Sequence, residues 1–245
     1  VPVPAHVETL YGVHTDPEQT FSVASVLTKR LERERDSNRA YRENWVQRAL
    51  AGVINERLAD LARDPGAPFL YAGVGSGRMT PLTVQDSAFV SGKEGRVEEA
   101  LEVALREVQR VRQHGISEAE LDRVRRNLLS SLEQSWKERH TTSSKSNLQE
   151  LLRNFTNGET VPGLDVEWAL GQRYLPGLTV AEVNAAATAF LLPPGRVVTS
   201  VVPQREGVVP PTADSLRAVI DRIDAEQTEA PGAEEAIAEL LPAWP

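Results

Sequence analysis

From Tyr41 to Val74 the chain sets one helix directly before one strand. Tyr41, Trp45, Ala49, Leu50, Val53, Ile54, Leu58 and Leu61 recur every three or four residues, which gives a helix a single apolar face. The repeat breaks at Asp64-Pro65-Gly66, because proline disfavours helix in the residue before it and glycine releases the chain. Phe69–Val74 then reads as a strand, Gly75-Ser76-Gly77 as a turn, and about Leu82–Ser91 as a second strand. A striped helix joined this way to a strand pair calls for helix packed on sheet.

Upstream, His6–His14 alternates, with Val7, Tyr11 and Val13 on one face. Asp16-Pro17-Glu18 turns the chain into a strand at about Thr20–Thr28, and so short a connection predicts an antiparallel pair. The mixed-charge run Lys29–Arg42 is a solvated loop entering the helix, with Asp36 or Ser37 as its cap.

Downstream, Val97, Ala100, Leu101, Ala104, Leu105, Val108 and Val111 stripe a helix that ends at His114-Gly115. Ser117 with Glu120 forms a capping box, opening a helix that carries Leu121, Val124, Leu128, Leu132 and Trp136. Leu148, Leu151, Leu152 and Phe155 mark another helix, and Val166–Leu170 a short one. Thr179 with Glu182 repeats the capping box before Val183, Ala187 and Phe190. Arg196–Val202 returns as a β-branched strand. The order ββα-ββ-ααααα-β predicts an α+β fold, a mainly antiparallel sheet with helices packed on one face. Residues 1–203 form that domain. Residues 204–245, with a Val208–Pro211 linker signal, a helix over Ser215–Ile223 and an acidic run from Asp224 to Glu239, form a linker or extension.

Composition narrows the function. A net charge of −8 argues against nucleic acid, whose phosphates call for a basic surface. No apolar run approaches the ~20 residues that span a bilayer. Without cysteine there is no thiolate metal site or thiol nucleophile. Val1 in place of Met, with no signal-peptide pattern, suits a processed chain or an excised segment.

The side chains that could carry chemistry are scattered. Zinc on a helix needs histidines four apart, or His-x-x-Glu-His, so that both rings project from one face. His114 and Glu118 have that separation, but Gly115 and the Ser117 cap break the helix between them. His14, Asp16 and Glu18 read as polar groups of a β-turn, and His140 as a cation at a helix end. Gly75-Ser76-Gly77 is neither a nucleophile elbow nor a phosphate loop, since a strand follows it and not a helix.

Several phrases taken together resemble the pitrilysin/insulinase family of zinc metallopeptidases, the inverzincins. They are HVETLYGVHTDPEQT, NERLADL, PFLYAGVGSGR, FVSGKEGRVEEALEVALREVQRV and HGISEAELDRVRRNLLSSLE, in that order over most of Ala5–Leu191. The family's H-x-x-E-H signature is missing, so the segment resembles the second, non-zinc domain of the first half of a bacterial member. The resemblance implies a domain of the LuxS and processing-peptidase type, in a protein whose zinc sits in a domain N-terminal to Val1. It implies no cofactor in this segment. Its partners would be sister domains of the same polypeptide or a partner subunit, with a peptide as substrate and no membrane-spanning segment. The implied function is a non-catalytic wall of the substrate chamber of a zinc metalloendopeptidase, this chain alone being inactive. The alternative is a structural module, as in inactive family members, that binds partner subunits instead of substrate. Residence in the bacterial periplasm follows by analogy, with the cytoplasm as the other option. In the family an Arg and a Tyr seven residues apart reach across from the non-zinc half to stabilise the oxyanion. Arg57 and Tyr71 are the candidates here, fourteen apart. Read from the residues alone they are a salt-bridging arginine and a half-buried strand tyrosine, and no catalytic residue is assigned.

Overall fold

A computed structural model describes residues 3–31 and 37–231. In chain order they form β1 (Leu10–Asp16), β2 (Ser22–Leu31), α1 (Asn38–Ala62), β3 (Phe69–Thr80), β4 (Thr83–Gly92), α2 (Val97–His114), α3 (Glu118–Lys137), α4 (Ser144–Asn157), α5 (Leu164–Tyr174), α6 (Val180–Ala187), β5 (Arg196–Pro203) and α7 (Ala213–Ala225). The five strands make one sheet in the order β1-β5-β2-β4-β3. Every pairing is antiparallel except β1 with β5. This is the α+β class read from the sequence.

Local signals place the helices well. The Ser37 hydroxyl caps α1 by accepting the Ala40 N–H at 3.1 Å, while Asp36 lies outside the described residues. Both expected capping boxes form, at Ser117/Glu120 and at Thr179/Glu182. The apolar stripe of α1 buries Trp45, Ala49, Leu50, Val53, Ile54 and Leu58 and ends there, Leu61 being exposed. α1 packs on β3, α2 lies across β4 and β2, α3 and α6 pack against α1, and α5 packs on α3. Within residues 204–245, α7 buries Leu216, Val219, Ile220 and Ile223, packing against α2 and β1. The Asp224 carboxylate at its end accepts both terminal nitrogens of Arg196, at 3.2 and 2.7 Å.

Two expectations fail in the sheet. β1 and β2 do not pair, because β5 enters between them. Its β-branched residues hydrogen-bond on both sides, and residues 17–21 are long enough to step across one strand. Nor do Gly75, Ser76 and Gly77 form a turn: β3 runs straight through them, opposite Ser87, Asp86 and Gln85. The ladder outweighs glycine's backbone freedom, and the chain reverses at Pro81-Leu82 instead, where proline's fixed φ suits a turn.

Register divides the sheet into two faces. The row Tyr11–Val198–Val26–Ala88–Val74 and the row Val13–Ser200–Ala24–Val90–Ala72 point to the helices and carry most of the buried strand residues. The alternate residues point away from the helix layer.

Candidate functional site

The face without helices is built from three rows of five residues. Leu10, Val197, Leu27, Ser87 and Gly75 form one, and Gly12, Thr199, Ser25, Phe89 and Gly73 the next. His14, Val201, Val23, Ser91 and Tyr71 form the third. A quarter of the whole chain is charged, yet none of these fifteen positions holds Asp, Glu, Lys or Arg. Leu10, Phe89 and Tyr71 are exposed at 42%, 40% and 60%. The Phe89 and Tyr71 rings lie 6.3 Å apart, and a Cβ on Gly73 would meet the Tyr71 hydroxyl at 2.7 Å, so Tyr71 folds back over that glycine. Near the middle the Ser25 and Thr199 hydroxyls share a hydrogen bond of 2.7 Å. The result is an apolar floor with hydroxyl groups and few bulky projections, able to accept an extended chain without demanding a particular charge pattern.

The rim strands are β1 and β3. On β3, the Asn55 side chain of α1 accepts the Val74 N–H at 2.7 Å and donates to the Val74 carbonyl at 3.0 Å. It thereby takes the place of a neighbouring strand at that residue, closing part of the edge to strand addition.

The two residues singled out from sequence lie on opposite sides of the sheet. Arg57 projects from α1 into the helix layer, where its guanidinium donates to Glu120 at 2.6 Å and Glu107 at 3.0 Å. Both carboxylates are buried, and Glu107 also accepts from Arg110 at 2.6 Å. Burial acts to raise the pKa of Glu120. The hydrogen bonds from Arg57 and Ser117 outweigh it and hold that carboxyl below its ordinary range. Tyr71 stands on the open face, more exposed than expected: the bulge between Phe69 and Tyr71 breaks the period-two alternation, so Phe69 is buried and Tyr71 points away from the helices.

Three of the remaining polar candidates have hydrogen-bond partners within the domain. The Asp16 carboxylate accepts the Glu18 N–H at 2.7 Å within the turn. The Ser76 hydroxyl donates to the buried Asp86 carboxylate at 2.5 Å. His114 Nε2 meets the Thr228 carbonyl at 2.7 Å. Among the described residues no three His, Asp or Glu side chains are grouped to hold a metal ion. The open-face residues Leu27, Phe89, Val197 and Val201 were not singled out from sequence. Their signal, period-two alternation, identifies two faces but not which one the helices leave bare.

No protein-family model matches the chain. An Arabidopsis thaliana protein described as "Zinc protease PQQL-like" is 25% identical over 243 residues, covering 98% of this chain and 22% of that protein. The first half of the periplasmic protease PqqL from Escherichia coli superposes with a TM-score of 0.81 at 14% identity, covering 94% of this chain and 50% of that one. A predicted insulinase family protease from Yersinia pestis gives a TM-score of 0.75 at 17% identity, over 91% and 49% of the two chains. The fold is that of the pitrilysin/insulinase-type (M16) peptidase domains. Within that class the chain resembles the second, non-zinc domain. It spans about a fifth of the length of the plant relative and about half of each of these two solved chains.

Proposed function

We propose that this chain is a non-catalytic domain of a zinc metalloendopeptidase and that its open sheet face forms part of the wall of a peptide chamber. The observation that carries this is the absence of Asp, Glu, Lys and Arg across three rows of an uncovered sheet, since a face of that size exposed only to water is unusual. An extended peptide gains contact there through its backbone and apolar side chains, whatever its sequence. Zinc, which would supply a water activated for attack, belongs on this reading to another domain of the same polypeptide or to a partner subunit. Arg57 and Tyr71 have no catalytic role: the first is held between two carboxylates and the second packs on Phe89. Residues 204–245 serve as the extension towards the next domain, anchored through α7. A periplasmic location follows by analogy with the Escherichia coli protease.

The test is steady-state kinetics of the full-length protease carrying Phe89→Gln or Val201→Gln. We expect KM to rise several-fold with kcat little changed, the signature of lost uniform binding. A kcat that falls more than KM rises would put this face in contact with the transition state. Unchanged kinetics for every such variant would favour a module that binds partner subunits instead of substrate.

A further inference from the structure

α4 is amphipathic in the wrong sense for a helix at the surface of a finished protein. Its ends are well made: the Ser143 hydroxyl accepts the Ser146 N–H at 3.2 Å, and Gly158, at φ 65°, closes the last turn. Between them Leu148, Leu151, Leu152 and Phe155 form one stripe, exposed at 54%, 59%, 43% and 86%. Among its described side chains only Glu150 is even half-buried. Glu150 and Arg153 lie about 150° around the helix from the centre of that stripe. Of the two, the half-buried Glu150 is turned towards the body, and its carboxylate, after burial, helps to raise the pKa of Glu167 on α5. The apolar stripe therefore faces water. A helix of 14 residues without packing is marginal in water, so its stripe calls for a cover.

We propose that the Leu148–Leu151–Leu152–Phe155 face of α4 seats an adjoining domain of the same polypeptide, which covers it with an apolar surface. This rests on the reading above that the chain is one domain of a longer protease. The area selects this occupant over a second copy. At the exposures given, the four side chains present about 400–500 Å², so a symmetric α4–α4 contact would bury roughly 800–1,000 Å² in total, short of the ~1,200–2,000 Å² of stable two-chain interfaces. A patch of that size suffices when the partner is tethered, because a linker holds it at roughly millimolar effective concentration. The plant relative, of which this chain matches 22%, has ample further length for such a partner. Charge argues against an anionic membrane: α4 carries only Lys145 and Arg153 against Glu150, in a chain of net charge −8.

The experiment compares hydrogen exchange of the 148–157 amides in this 245-residue chain and in the full-length product of its reading frame. We expect exchange at least about tenfold slower in the longer protein. Leu151→Gln with Phe155→Gln should leave the melting temperature of the short chain unchanged and return α4 exchange in the long one to the fast rate. Equal exchange in both proteins would overturn the inference. So would a concentration-dependent dimer of the short chain, or its binding to phosphatidylserine vesicles, that the double variant abolishes. A reading frame containing no further domain would remove the protease-domain reading as well. Unchanged α4 exchange in a multidomain product whose open-face variants still raise KM would remove only this one.

Discussion

Arg57→Ala is expected to destabilise the domain by about 3 kcal/mol at pH 7, at the low end of the ~3–5 kcal/mol for stranding a buried charge. The Arg57, Glu107 and Glu120 side chains are exposed by only 14%, 4% and 10%, so removing the cation leaves two carboxylates in a poorly hydrated space between α1, α2 and α3. The low end applies because neither is stripped of partners. Glu107 keeps Arg110 at 2.6 Å, and Glu120 keeps the Ser117 N–H at 2.7 Å and hydroxyl at 2.9 Å. With a urea m-value of ~2–3 kcal/mol/M the midpoint should fall by roughly 1–1.5 M. The sign of the pH dependence follows from Glu120, whose folded pKa lies below its unfolded value. Its contribution is complete above the unfolded value of ~4.3 and is lost as pH falls through the folded one. The gap between wild type and variant should therefore narrow on acidification below about pH 4. A midpoint shift under about 0.3 M, or a gap that widens in acid, would refute the account of this network. In the full-length protease the same variant should keep kcat within a small factor. A loss of ~100-fold with the fold intact would match a missing oxyanion donor and make Arg57 catalytic.

Leu58, fully buried beneath the sheet, should cost roughly 2–5 kcal/mol when cut to Ala, from lost transfer energy and the cavity left behind. Unchanged thermal unfolding would place the wrong face of α1 inside. Glu182 is held down to about 2, chiefly by hydrogen bonds from Arg42 at 2.7 and 2.9 Å and also by Thr179. Because its folded pKa is depressed, its stabilisation is present above ~4.3 and disappears between there and about 2. Both side chains are about a third exposed, so screening leaves on the order of 1 kcal/mol. Glu182→Gln should flatten the acid limb of the stability curve over that window, and a melting curve that tracks wild type from pH 5 to pH 2 would contradict the assignment.

What the sequence determined by itself is local. The capping boxes at Ser117/Glu120 and Thr179/Glu182, the end of α1 before Pro65 and the β-branched run from Arg196 to Val202 are each settled by interactions within a few residues. The family resemblance was legible for a related reason: it lies in short phrases set in a definite order along the chain. Partner choice across the fold was not legible. Val198 meets Tyr11 on one side and Val26 on the other, across separations of more than 170 residues, and β-branching alone does not say which neighbours a strand will take. The same holds for Gly75–Gly77, whose freedom to turn yields to a ladder with β4. Arg57 carried a charge whose destination only the packing of α1 against α2 and α3 could decide. On α4 the periodic stripe identified a helix, but whether that stripe faces the core or the solvent depends on which side the rest of the chain occupies. Periodicity is a property of the segment, and burial is a property of everything around it.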